Sequence, residues 1–330
     1  VVRVESFTAE VLEDVMLLKH RRIAFTIRLL LLALVVPLAA CKKSENPEKP
    51  SISVFASPDD ASNALLDVAK SGDQNALVAI FGPDSKEVIY SGDSVQDKNA
   101  VDAFVAGYGV MHRWRDMPDG AQILLVGADN FPFPIPLRKS EGKWFFDTAA
   151  GKDEILNRRI GRNELSIIEV CDAVADAQAE YFAHPHDGEK AKQFAVKFVS
   201  EPGKQNGLYW KPAGGQAASP LGPLAAGAAA EGYSATPEGH GAFHGYYFRM
   251  LNGQSDKAPG GAKDYMINGK MTGGFAFVAY PAEYGNSGVM TFMINQDGVL
   301  LQKDLGKTTT ETATAMSAFD PDASWSVVEQ

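Results

Sequence analysis

An α+β fold is the class this sequence predicts, and three observations predict it. Apolar residues recur at helical spacing ahead of any strand signal. Short strand signals then follow in a run. Further along, a long amphipathic stretch precedes a second run of strands.

The first helix opens at Ser57-Pro58-Asp59-Asp60, where a hydroxyl cap, a first-turn proline and two acids meet the positive end of the helix dipole. Ala61, Leu65, Val68 and Ala69 continue it on one face, and Gly72 ends it. Asp73 opens a second short helix carrying Ala76, Leu77, Ile80 and Phe81, closed by Gly82-Pro83. The spacing predicts a third helix over 97–108, with Val101, Phe104, Val105 and Tyr108 inward. Strands follow over 122–126, 131–137 and 143–147. Prolines 132, 134 and 136 alternate, so their missing N–H groups all point one way. That pattern suits an edge strand or a strap and excludes a central strand.

Asn163 is read as the cap of a long helix with Leu165, Ile168, Cys171, Val174, Gln178 and Phe182 on one stripe. Residues 201–239, rich in Pro, Gly and Ala, read as a long connection draped over the domain. Their glycines lack the Gly-x-x-x-x-Gly-Lys spacing of a phosphate cradle. Strands are predicted over 245–251, 274–280, 288–295 and 299–303, with Asp297-Gly298 as a hairpin turn. Met290, Phe292 and Ile294 should face the core, with Val289, Thr291, Met293 and Asn295 on the opposite face. A short helix over 308–314 and a docked tail over 319–325 close the chain. With 330 residues, two folded domains are expected, 57–157 and 161–330.

Charge and cysteine content narrow the function. From Cys41 onward 26 basic residues stand against 37 acidic ones, a net charge of −11. Such a body has no long-range attraction for nucleic acid or for anionic lipid headgroups. One of the two cysteines falls in the leader, so Cys171 has no partner and no disulfide framework is possible. Cys171 sits on the helix stripe beside Glu169 and Asp172, which raise rather than lower a thiol pKa, so it reads as a small core residue.

Residues 1–15 mix acids with apolar residues and read as a misassigned start, with translation beginning at Met16. From there a basic stretch leads into an unbroken apolar run from Leu29 to Ala40, the pattern of a signal peptide over 16–40. At about 1.5 Å per residue the run spans roughly 18 Å, short of a bilayer core of about 30 Å. Leu38-Ala39-Ala40-Cys41 resembles the bacterial lipobox, which implies cleavage before Cys41 and diacylglycerol on its thiol. Residues 41–56 are then a polar tether, and Lys42 in place of an aspartate favours the outer over the inner membrane.

No catalytic, metal or cofactor set is expected. The segment ALLDVAKSGDQNALVAIFGPDS looks like the opening of the cystatin-like cone fold of nuclear transport factor two. That resemblance implies an apolar first-domain pocket in which His112, Asp116 and Asp129 are the acid–base candidates, with Trp114 and Trp144 as walls. The plainer reading puts the charged groups on a solvated strand face and the tryptophans in the core. His184 and His186, with Asp187, and His240 with His244 could meet a divalent ion. Yet Gly- and Pro-containing loops collect histidines without one.

Specific strings carry a family resemblance. They are PFPIPL at 132–137, KWFFDTAAGKDEIL at 143–156, LYWKP at 208–212 and SPLGPL at 219–224. HGYYFR at 244–249 and the long segment 273–306, which contains FVAYPAEYGNSG, complete the set. Together they resemble domain-of-unknown-function family 2950 from about residue 55 to 328, a family of bacterial exported proteins that brings no assigned activity. The helix NELSIIEVCDAVADAQAEYF followed by strands resembles type IV pilin and pseudopilin heads, although no prepilin leader precedes it. Three functions follow as expectations. The favoured one is a lipid-anchored, non-enzymatic envelope module, bound to the membrane through its lipid and meeting an envelope protein or polymer. The others are an enzyme using the first-domain pocket and a pilus or secretion component.

Overall fold

Helix α1 (Pro58–Ser71) starts where Ser57 accepts the Asp60 N–H and stops where Gly72 turns left-handed, as the sequence predicts. The structure, a computed structural model, describes residues 52–212, 217–234 and 241–329. The leader, Cys41, most of the tether and His240 lie outside the described residues. All the described residues fall within one compact unit. Its architecture is mixed helix and antiparallel sheet, an α+β fold.

Three further helices precede the sheets: α2 (Gln74–Phe81) capped by Asp73, the single turn α3 (Lys86–Ile89), and α4 (Ser94–Val110) capped by Asp93. They pack on an antiparallel sheet built from β1 (His112–Asp116), β2 (Gln122–Val126), β3 (Phe131–Pro132), β4 (Leu137–Ser140) and β5 (Lys143–Phe146). The strand predicted over 131–137 is broken: Phe131 and Pro132 pair with β2, Leu137 opens β4, and the prolines between them form a strap. Proline cannot donate to a ladder, so pairing ends where the prolines crowd. Space between helices and sheet is filled by aromatic rings. Phe81 and Phe133 stack at 6.1 Å, and Phe146 meets Phe81 edge-on at 5.3 Å.

Helix α5 (Thr148–Ala183) is one uninterrupted helix of 36 residues. Its cap is Asp147, whose carboxylate accepts the Ala150 N–H, rather than Asn163. Residues 157–161, taken as a boundary, therefore fall inside a helix. Gly151 lets its first turn close on the strap: a Cβ there would lie 2.8 Å from Ile135 Cα and Pro134 O. The Ala-rich run inside the 201–239 connection is not irregular. It folds as α6 (Gly222–Glu231), because alanine is the strongest helix former and Pro223 and Gly232 supply its start and stop.

The second large sheet runs β15-β13-β12-β11-β6, where β6 is Tyr246–Leu251, β11 Ala276–Pro281, β12 Met290–Asn295, β13 Leu301–Asp304 and β15 Ser326–Val327. A smaller sheet joins β14 (Ala318–Phe319), β7 (Gly253–Gln254) and β8 (Lys263–Asp264), and β9 (Met266–Ile267) pairs with β10 (Lys270–Met271). One face of the large sheet meets α5: Gln178 reaches Met250 and the Ala195 backbone. The opposite face is covered too, because Arg249 donates to Ala313 O in α7 (Thr309–Ala315). Thr291, Met293 and Asn295, expected on the face away from the core, lie on this second face and are fully buried. Cys171 is buried on the α5 stripe, as expected. Among the described residues no helix is long and apolar enough to cross a membrane.

Candidate functional site

Of the residues singled out for first-domain acid–base chemistry, His112 and Asp116 are not brought together. His112 and Asp116 begin and end β1, roughly 13 Å apart at about 3.3 Å per residue. The His112 ring stacks on Tyr108 at 3.7 Å, with its Nδ1 3.1 Å from Tyr108 O. Asp116 accepts from Gln122 Nε2 at 2.7 Å. Asp129 lies in the turn between β2 and β3. Trp114 packs into the aromatic core, and Trp144 lies on β5 with Lys139 over its ring at 5.5 Å.

The histidines are engaged in similar ways. His184 is the exposed C-cap of α5. His186 stacks on Tyr181 at 3.8 Å and sets Nε2 2.9 Å from Tyr181 O, while Asp187 accepts the Gln205 N–H through both oxygens. Among the described residues no group of three His, Cys, Asp or Glu side chains is placed to hold a metal ion. His240 lies outside them.

His244 belongs elsewhere, in a polar seam joining α4, α5 and the start of β6. Asp93 is its centre and is almost wholly buried. One carboxylate oxygen accepts the Val95 and Gln96 N–H groups at the head of α4. The other accepts Tyr233 Oη–H at 2.6 Å and the Gly245 N–H at 3.1 Å. Burial, then the hydrogen bond to Asp93, pushes the Tyr233 phenol far above its ordinary pKa. Gln96 Nε2 lies 3.0 Å from Asn163 Oδ1 and 3.4 Å from His244 Nδ1, and His244 Nε2 lies 3.4 Å from Glu231. Asn163 donates to Ser287 O at 2.8 Å, and Gly245 must be glycine because a Cβ would fall 2.5 Å from Asn163 Nδ2.

The seam continues along the same face of α5. Arg159, one turn before Asn163, is buried and donates to Asn286 Oδ1 and Val88 O. Both acceptors are neutral. Arg159 takes part in none of the ion pairs among the described residues. Burial lowers its pKa, with Asp97 and Glu283 acting against that from a distance. Asp97 in turn accepts the Ser91 N–H through both oxygens, and burial raises its pKa. Next to Asn163, Glu164 accepts the Val289 and Met290 N–H groups at 2.9 Å each.

Beside this seam a cleft of about 330 Å³ opens between α3, the first turns of α5 and the 283–286 turn. Glu87, Lys152, Leu156, Glu283, Tyr284 and Asn286 line it with Gly285. Lys152 faces Glu87 at 3.8 Å, a loose contact between exposed side chains. Glu283 holds Asn286 Nδ2 at 2.6 Å through Oε2, and its Oε1 has no hydrogen-bond partner among the described residues. Tyr284 Oη donates to Asp304. Sequence reasoning passed over Asp93, Lys152, Arg159 and Glu283. A signal was present in Arg159 and Asn163, polar residues that continue the apolar stripe of α5 one turn at a time.

This combination defines an α+β protein whose helical and sheet parts are locked by a buried polar seam. Residues 52–328 match the family described as protein of unknown function (DUF2950), and the chain belongs to that family. Its LYWKP, HGYYFR and PAEYGNSG strings supply parts of the core, the seam and the cleft. Comparison with curated proteins and with solved structures finds no match.

Proposed function

We propose that this chain is a lipid-anchored component of the bacterial cell envelope that acts as a non-enzymatic binding or accessory module. The observation that carries this reading is the twelve-residue apolar run that closes on Cys41, with a basic segment before it and a polar tether after it. Cleavage there leaves diacylglycerol on the Cys41 thiol and the folded part on the periplasmic face of a membrane, with Lys42 favouring the outer one. A binding role is supported by how the polar groups are used. Asp93, Asn163 and Glu164 serve as struts between elements, and the cleft beside them stays open to solvent.

Two finer likenesses belong to the same reading. Residues 57–157, with α1 and α4 laid on an antiparallel sheet, correspond to a cystatin-like unit. Residues 161–330, with the later part of α5 laid on another, correspond to a pilin-like head that has lipid in place of a filament helix. Fractionation tests the anchor. Wild-type protein is expected in the membrane pellet and Cys41→Ser protein in the soluble envelope fraction. Retention of the serine variant on the membrane would count against the proposal.

A further inference from the structure

We propose that the cleft between α3, α5 and the 283–286 turn binds a small zwitterion, with the chemistry of a free α-amino acid or a dipeptide. The inference rests on the binding-module reading and names its ligand class. A volume of about 330 Å³ sits at the lower end of small-molecule sites, which run from roughly 300 to 1,000 Å³.

Charge decides the class. Glu87 and Glu283 on the walls oppose a simple anion, while Lys152, with Arg159 behind Asn286, opposes a simple cation. A ligand carrying both charges satisfies both walls. Its ammonium meets the Glu283 carboxylate, which lines the cleft and has one oxygen without a hydrogen-bond partner among the described residues. Its carboxylate meets Lys152 Nζ, whose 3.8 Å contact with Glu87 is weak enough to be exchanged. Buried cations are ordinarily paired with an anion. Arg159 has only the Asn286 amide and a backbone carbonyl as hydrogen-bond partners, and Asp97 and Glu283 act on it only from a distance, so part of its positive field reaches the cleft. Leu156 offers the one apolar side chain on the α5 wall, matching a short aliphatic group between the two charges.

Isothermal titration calorimetry on purified full-length protein in detergent tests this with L-alanine and L-alanyl-L-alanine. Acetate and ethylammonium serve as the two half-ligands. At least one zwitterion is expected to bind saturably at one site, and which one tells a free amino acid from a peptide. Neither half-ligand should saturate over the same range. Lys152→Ala and Glu283→Gln should each weaken binding at least tenfold, Lys152→Ala leaving the melting temperature in place. Should Glu283→Gln fail to fold, the surface variant Lys152→Ala decides alone. Silence from both zwitterions, equal binding of a half-ligand, or unchanged affinity in Lys152→Ala overturns the assignment. The anchor reading is separable: an unlipidated Cys41 with a functioning cleft removes the envelope role only, and a lipidated protein that binds neither zwitterion removes the ligand only.

Discussion

Asn163 illustrates how a single side chain holds two parts of the molecule together. Its amide donates to Ser287 O and accepts from Gln96, in a position with no solvent contact. Replacing it by alanine leaves both partners unsatisfied in a buried space. That should cost about 3 kcal/mol, read as a drop in thermal or denaturant midpoint. Cys171 makes a chemical prediction at the same scale. Burial, aided by Asp172, pushes its thiol far above the ordinary range, so a thiol reagent should leave native protein untouched and react only on unfolding. Rapid modification of the folded chain would contradict its placement in the core. Glu201 behaves in the opposite sense. Hydrogen bonds from Lys197 and Lys204 hold its carboxyl down at about 2. Its stabilising contribution is therefore present above the ordinary glutamate range and lost as pH falls towards 2. Carbon-detected NMR should find its midpoint well below the other glutamates, returning to normal in a Lys197→Ala, Lys204→Ala double variant. Because the group is exposed, salt should weaken the effect.

At the scale of elements, local chemistry accounts for most of what the sequence disclosed. Ser57 and Asp73 mark helix starts through capping contacts made within three residues, and Gly72 marks a helix end through its own left-handed backbone, which is why all three can be read in one dimension. The start of α5 could not be read so easily. Asn163 is as good a cap residue as Asp147, and only its contacts with Gln96 and Ser287, 67 and 124 residues away, show that it lies inside the helix. The Pro strap was legible as an interruption, but its role as a seat for α5 depends on the close approach of Gly151. Gly151→Ala would set a Cβ 2.8 Å from the strap backbone, which cannot yield as a side chain could. A loss of about 2 kcal/mol is expected, against about 1 kcal/mol for removing the Asp147 cap by Asp147→Ala. Equal or smaller loss in the glycine variant, by chemical denaturation, would show that the strap moves aside. The burial of Thr291 and Asn295 was hidden for a related reason. The helix on that face of the sheet, α7, is Thr-rich and lacks a strong apolar stripe.

For the whole molecule, the candidate site was the least legible part. The cleft draws Lys152 and Leu156 from α5, Glu87 from α3, and Glu283 with Asn286 from a turn more than a hundred residues on. No spacing in the sequence joins them. The HGYYFR and PAEYGNSG strings marked the right neighbourhood through family resemblance, without indicating which residues meet. Since α5 runs unbroken through both halves and the seam ties α4, α5 and the 283–290 turn together, calorimetry should record one cooperative unfolding transition. Two resolved transitions would mean that 57–157 and 161–330 melt as separate bodies. The leader supplies the broadest claim, because an envelope role depends on what happens at Cys41. Mass spectrometry of protein isolated from its native membrane tests it most directly. The account predicts an N-terminal peptide that begins at Cys41 and carries a thioether-linked diacylglycerol. An intact leader, or a free thiol at residue 41, would contradict it.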